Sequence, residues 1–231
     1  MGIPTVFFDM DGTLVDSMYY WNRAPSCVLA ELGFLPDDET EADFARLGFS
    51  RIPEYVAERF PAFGPKEAFL ARIDQWMLER YRREVLLKPN VREYLQSLRA
   101  RGIRCAILTA SAPAFIETML ERYRLKDYFS AAFSARQLGI GKGDPAIYPY
   151  LFEQMQCTAA DCVLFDDSLY AVTLAAETGL RTAGVLDPLF PQNHQKLREI
   201  CTCTFSRYSD LLRGGFPGFA EESAETGARG R

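Results

Sequence analysis

The chain has 231 residues, 48% of them hydrophobic and 25% charged, with a formal net charge of −5. That apolar share can fill a real core, the mild negative balance without any basic run argues against nucleic-acid binding, and no stretch approaches the ~20 apolar residues of a membrane span. The single histidine, His194, reads as a surface residue near a helix start, and six scattered cysteines without a C-x-x-C pair read as reduced thiols packed like small apolar side chains.

The first element is a short apolar strand, Val6-Phe7-Phe8, which runs directly into Asp9-Met10-Asp11-Gly12-Thr13-Leu14-Val15. Two carboxylates delivered by a buried strand need a cation, a proton or a reaction, because unpaired buried charge costs more than a fold recovers. An Asp-Gly turn whose acids merely bond the backbone is the plainer alternative. From Tyr19 to about Leu86 the pattern is helical, over Trp21–Leu32, Glu41–Leu47, Ile52–Phe60 and Lys66–Tyr81, broken at Gly33, Gly48-Phe49-Ser50 and the Pro61–Pro65 stretch. After Pro89 helices and strands alternate: helix Val91–Ala100, strand 103–108, helix Ala114–Arg124, strand Phe129–Phe133, helix Ala146–Gln156, strand 162–165, helix Ala171–Thr178 and strand Arg181–Val185. Cys201 to Cys203 falls in a further late strand, and the Gly, Glu and Ala content beyond Arg213 predicts a frayed tail. This alternation predicts an α/β fold with a doubly wound parallel sheet, Rossmann-like, interrupted after its first strand by a helical insertion. The expected division is 1–16 with 87–213 for the core, 17–86 for the insertion and 214–231 for the tail.

Chemically apt residues fall at the ends of these strands, where open α/β sheets bind ligands. Thr109-Ala110-Ser111 ends the second strand, Lys142 lies in a glycine-flanked loop, and Asp166-Asp167-Ser168 ends the strand at 162–165. Singly, each has an ordinary explanation as a helix cap or a solvated loop charge.

In order, the four segments resemble the four motifs of the haloacid dehalogenase superfamily of phosphohydrolases: DxDGTLVDS at Asp9 to Ser17, Thr109, KxDPxIY at Lys142 to Tyr148, and DDS followed by AAxxxGL around Asp166 to Leu180. The resemblance spans nearly the whole chain and implies a phosphatase whose insertion is a closing cap. Two departures stand out. Asp166 occupies a place where relatives have Gly or Glu, and Ala171 one where some have Asp. Gly143 follows Lys142 where proline is common, which loosens that loop.

The residues support the corresponding chemistry. A phosphate dianion repels an attacking carboxylate until a divalent cation and a lysine neutralise it, here through Asp9, Asp167 and Lys142. Asp9 then attacks phosphorus to give an aspartyl-phosphate, and Asp11 protonates the leaving alkoxide and later deprotonates the hydrolytic water. The resemblance implies that Asp11 meets the metal through its backbone carbonyl. Asp166 is expected at the metal directly or through a water. Thr109 and the Ala110 N–H would hold the phosphate oxygens. Oxygen-only ligands favour Mg²⁺.

Substrate choice is expected in the insertion, where Gly48 and Arg51 belong to a loop resembling that of β-phosphoglucomutases. Arg51 reads either as a substrate clamp or as a solvated arginine at a helix start. Trp21 stands where those mutases carry a histidine, which counts against mutase activity, and it reads as a substrate contact or as core. A dehalogenase would lack Asp11, and a phosphonate hydrolase would need a lysine within 17–65, where there is none. A phosphomutase, or a non-catalytic phosphosugar-binding regulator, is the alternative to a phosphatase. The expected protein is cytoplasmic and monomeric or weakly dimeric. With a core strand at the amino terminus no signal peptide is expected, and the expected partner is a small phosphate ester rather than nucleic acid or membrane.

Overall fold

A computed structural model describes residues 4–47 and 49–214. Gly48, and the expected tail past Gly214, lie outside the described residues. Within them, six strands form one parallel sheet: β1 (Thr5–Phe8), β2 (Arg104–Thr109), β3 (Ala131–Ser134), β4 (Cys162–Asp166), β5 (Arg181–Val185) and β6 (Cys203–Phe205), in the order β3-β2-β1-β4-β5-β6. This is a doubly wound α/β fold, with β1 central and the strand order reversing direction beside it.

Side-chain alternation along β1 assigns the two faces. Val6 and Phe8 enter one core with Ile107, Val163 and Phe165, beneath α5 (Val91–Ala100) and α11 (Tyr208–Gly214). Phe7 points oppositely, into a second core with Leu108 and Leu164 beneath α8 (Ile147–Met155). A parallel sheet buried on both faces explains why these strands read as unbroken apolar runs.

Between β1 and β2 lie α1 (Met18–Glu31), α2 (Asp38–Leu47), α3 (Ile52–Arg59) and α4 (Lys66–Arg83). They pack around Val28, Leu29, Val56, Phe69, Ile73 and Met77, a cluster continuous with the core of the sheet. The chain leaves and returns through adjacent extended segments: the Asp16 N–H donates to the Leu86 carbonyl at 2.8 Å and the Lys88 N–H to the Leu14 carbonyl at 2.9 Å. Lys88 Nζ then joins this crossing to the buried Asp187, just past β5, at 2.9 Å. The pairing of Lys88 with Asp187 had no signal in the sequence.

The remaining helices are α6 (Pro113–Tyr123), α7 (Ala135–Leu138), α9 (Leu169–Glu177) and α10 (His194–Ile200). Most boundaries fall within a few residues of the sequence expectation, while α7 and α11 were not expected. The α11 helix is fixed by a distant partner, since the buried Tyr208 hydroxyl donates to the Thr13 carbonyl at 3.2 Å. His194 opens α10 as expected but is partly buried, with Nε2 at 2.8 Å from the Asp187 carbonyl. All six cysteines are free thiols. No helix among the described residues is long and apolar enough to cross a membrane.

Phe8 is fully buried one residue before the first acid, with its ring 4.8 Å from that of Phe165 and edge-on to Tyr94 and Phe129 at 6.4 and 6.3 Å. Phe8→Ala should therefore cost about 3–5 kcal/mol of unfolding free energy. Urea denaturation would read this as a lower midpoint at unchanged slope. A loss under about 1 kcal/mol would mean that the aromatic cluster does not hold the sheet.

Candidate active site

The site is built where β1 and β4 end side by side, at the point where the strand order reverses. The Asp9 N–H still donates to the Phe165 carbonyl at 2.8 Å, so Asp9 extends the strand pairing by one residue and inherits its rigidity. The chain then folds tightly: the Met10 carbonyl accepts the N–H groups of Thr13, Leu14 and Val15 at 3.3, 2.9 and 3.0 Å. Gly12 permits this turn with φ at +76°, and a Cβ there would fall 2.3 Å from Asp167 Oδ2. Both the backbone angle and the acid's approach thus exclude any side chain at position 12.

Asp9, Asp166 and Asp167 bring carboxylate oxygens within 4.8 Å of one another, and all three residues are buried. Lys142, reaching in from the loop before α8, donates to Asp9 Oδ1 and Asp166 Oδ2, each at 2.7 Å. Asp166 is thereby committed on both oxygens, because Oδ1 accepts the Ser168 backbone N–H at 2.8 Å and its hydroxyl at 2.5 Å. One buried lysine faces three buried carboxylates, which leaves an uncompensated negative charge. Burial, with Asp166 and Asp11 adding to it against the pull of Lys142, raises the Asp9 carboxyl from its ordinary value near 3.8 to about 8. Asp167 is pushed well up by burial and by the charges of Asp9 and Asp166. Burial works against the Lys142 ammonium, yet Asp166 and Asp9 outweigh it and hold the group charged. A hard divalent cation answers this imbalance: the donors are all oxygen, they converge, and their charge exceeds what the protein supplies in return.

Thr109 closes β2 with its side chain fully buried, and its Oγ1 accepts the Ser111 N–H at 3.1 Å. A hydroxyl that accepts one bond still carries a proton to donate. Ala110, the next residue, is exposed.

Asp11 points elsewhere, and its surroundings were largely missed by the sequence reading. Its Oδ1 accepts the Ser17 hydroxyl and the Trp21 indole N–H, each at 2.6 Å, and the Tyr81 hydroxyl; its Oδ2 accepts the Ser111 hydroxyl at 2.6 Å. Trp21 is therefore neither simply core nor a bystander, since its polar edge is spent on the second acid. Ser17 closes the first motif and Ser111 belongs to the Thr109-Ala110-Ser111 strand end, whereas Tyr81 is 70 residues from Asp11 in a helix of ordinary pattern. Burial, then the adjacent Asp11 charge, holds the Tyr81 phenol well above its usual pKa, so it stays a donor. Arg51 ends the short 3₁₀ turn before α3, is exposed, and makes no hydrogen bond or ion pair with the four acids.

The family model "haloacid dehalogenase-like hydrolase" matches residues 3–179. The chain is similar to hexitol phosphatase B of Escherichia coli, 27% identical over 188 residues that cover 80% of this chain and 85% of the relative. It is also similar to phosphoglycolate phosphatase of Nitrosospira multiformis, 29% identical over 192 residues, covering 77% and 80%. Among solved structures, CbbY from Rhodobacter sphaeroides, determined in complex with phosphate, shares the fold with a TM-score of 0.77 at 21% identity, covering 94% of this chain and 99% of that one.

The raised pKa of Asp9 sets the sign of a pH effect. Between pH ~4 and ~8 the metal-free folded state holds a proton that the unfolded chain has released, so stability falls as pH rises through this window. In chelator, the melting temperature should drop from pH 5 to pH 8. Asp9→Asn should flatten that slope, and a divalent cation should raise the melting temperature more at pH 8 than at pH 6. Thermal denaturation of both proteins checks this, and parallel slopes would remove Asp9 as the cause.

Proposed function

Because the chain belongs to the haloacid dehalogenase-like hydrolases, we propose that it is a Mg²⁺-dependent phosphatase of small phosphorylated metabolites, such as sugar phosphates, working through an aspartyl-phosphate. The observation that carries this reading is the convergence of Asp9, Asp166 and Asp167 on one point, with Lys142 bonded to the first two and Thr109 ending the next strand. The names of the two phosphatases described above favour a small phosphorylated substrate.

Asp9, Asp167 and the carbonyl of Asp11 would hold Mg²⁺, with Asp166 completing the acid set; bound there, the cation supplies the positive charge that lets a carboxylate approach a phosphate dianion. The Thr109 hydroxyl, the Ala110 N–H and Lys142 orient the non-transferring phosphate oxygens. An Asp9 carboxylate oxygen attacks phosphorus while the bond from phosphorus to the leaving oxygen breaks, and Asp11 gives that oxygen its proton. The ionised Asp11 next takes a proton from water, whose oxygen attacks the same phosphorus. Inorganic phosphate leaves and the Asp9 carboxylate is restored. Lys142 aims Asp9 through its 2.7 Å contact and works with the cation against the burial that disfavours the Asp9 carboxylate. Discrimination among leaving groups belongs to the α1–α4 insertion, which acts as a cap, with Arg51 and Gly48 as its candidate contacts.

A panel of phosphate esters assayed for inorganic phosphate tests this reading. Chelator should abolish turnover and Mg²⁺ restore it. Asp9→Asn should lower activity by orders of magnitude, and retention of more than about a tenth would sink the nucleophile assignment. Little phosphate release, together with a requirement for a bisphosphate activator, would instead indicate a mutase. Arg51→Ala should reduce kcat/KM for the preferred metabolite far more than for a minimal aryl phosphate, and equal losses would make Arg51 a support of the insertion.

A further inference from the structure

The four hydrogen bonds to Asp11 are unevenly shared. Three donors, Ser17, Trp21 and Tyr81, converge on Oδ1, while Oδ2 receives Ser111 alone. A carboxylate oxygen offers about two lone-pair sites, so Oδ1 is oversubscribed and cannot take a proton, whereas Oδ2 keeps one site open. The Ser111 hydroxyl is also a partner that can reverse from donor to acceptor when Oδ2 is protonated.

The donors are themselves held. The Trp21 ring packs on Phe115 of α6 at 5.5 Å and on Phe49 at 4.9 Å, and the Tyr81 ring stands edge-on to Phe115 at 5.1 Å. From α6, Arg122 donates to the backbone carbonyls of Tyr81 and Val85 at 2.7 and 2.6 Å and to that of Arg83 at 3.0 Å. The end of α4 is thus clamped to a helix flanking the sheet, and the Tyr81 hydroxyl is aimed by both its ring and its backbone. That degree of fixing exceeds what a tyrosine needs merely to be buried.

We propose that Tyr81 and Trp21 are positioning residues for Asp11, anchoring Oδ1 so that Oδ2 is the oxygen that exchanges the proton with the leaving group and with water. The inference rests on Asp11 being the general acid. Tyr81 and Trp21 touch neither phosphorus nor metal in this scheme. Their effect must therefore pass through Asp11 and must scale with how much the leaving oxygen needs a proton. A nitrophenolate leaves unassisted, while an alkoxide does not.

The experiment measures kcat/KM, which reports the step of leaving-group departure, for p-nitrophenyl phosphate and for an alkyl phosphate with Mg²⁺ present. The proteins are native, Tyr81→Phe, Trp21→Phe, Asp11→Asn and the Asp11→Asn/Tyr81→Phe double variant. Tyr81→Phe keeps the ring and removes one donor, so it should lose roughly 10–100-fold on the alkyl ester and much less on the aryl ester, with no further loss once Asp11 is already Asn. Trp21→Phe should behave likewise, which keeps the test decisive if one variant fails to fold. Equal losses on both esters, or an undiminished loss in the Asp11→Asn background, would overturn the positioning role. If Asp11→Asn itself falls equally on the two esters, the acid assignment fails and the inference with it. A selective loss in Asp11→Asn without one in either positioning variant would overturn the inference alone.

Discussion

The structure turns on the excess of negative charge buried at the ends of β1 and β4. Asp9, Asp166 and Asp167 are brought together in the interior with Lys142 between two of them. A fold does not gather three carboxylates around one ammonium for stability, because desolvation of such a set costs more than a single ion pair offsets. The surroundings hold the acids in place instead. Backbone pairing fixes Asp9, Ser168 and Lys142 occupy both oxygens of Asp166, and Gly12 leaves room for Asp167. The cluster is a site kept under electrostatic tension, which a bound cation would relieve.

The rest of the fold serves the placement of this cluster. The parallel sheet directs all strand ends to one edge, and its two apolar faces fix the height at which Asp9, Thr109 and Asp166 emerge. The crossing at Asp16 and Leu86 joins the inserted helices to the sheet beside the turn that follows Asp9, and the Lys88–Asp187 pair braces the returning segment.

The two acids of the first motif have opposite environments although they are two residues apart. Asp9 is desolvated beside other carboxylates, while Asp11 lies among hydroxyl and indole donors. Burial is the main cause that raises the Asp9 carboxyl, with Asp166 and Asp11 adding to it, whereas the surroundings of Asp11 are four hydrogen-bond donors, Ser17, Trp21, Tyr81 and Ser111.

Much of this was legible in the sequence, for a physical reason. Strand and helix periodicity, the Asp-x-Asp-Gly turn, and the residues ending each strand are local features, and local sterics and hydrophobic patterning suffice to place them along the chain. They predicted the parallel sheet and brought Asp9, Lys142, Asp166 and Asp167 to a common edge. Contacts between distant helices carry no such signature. Tyr81 and Phe115 look like ordinary apolar-face aromatics, Arg122 like a solvated charge, and Asp187 like a loop acid. Their meaning came only when packing set α4 against α6 and Lys88 of the returning segment against Asp187, just past β5. By itself the sequence determined which residues stand at the ends of the strands, because the chain direction and the alternation of side chains dictate it. Only the tertiary structure decided which donors surround each acid, since hydrogen-bond partners 70 or 100 residues apart are chosen by packing geometry and not by spacing.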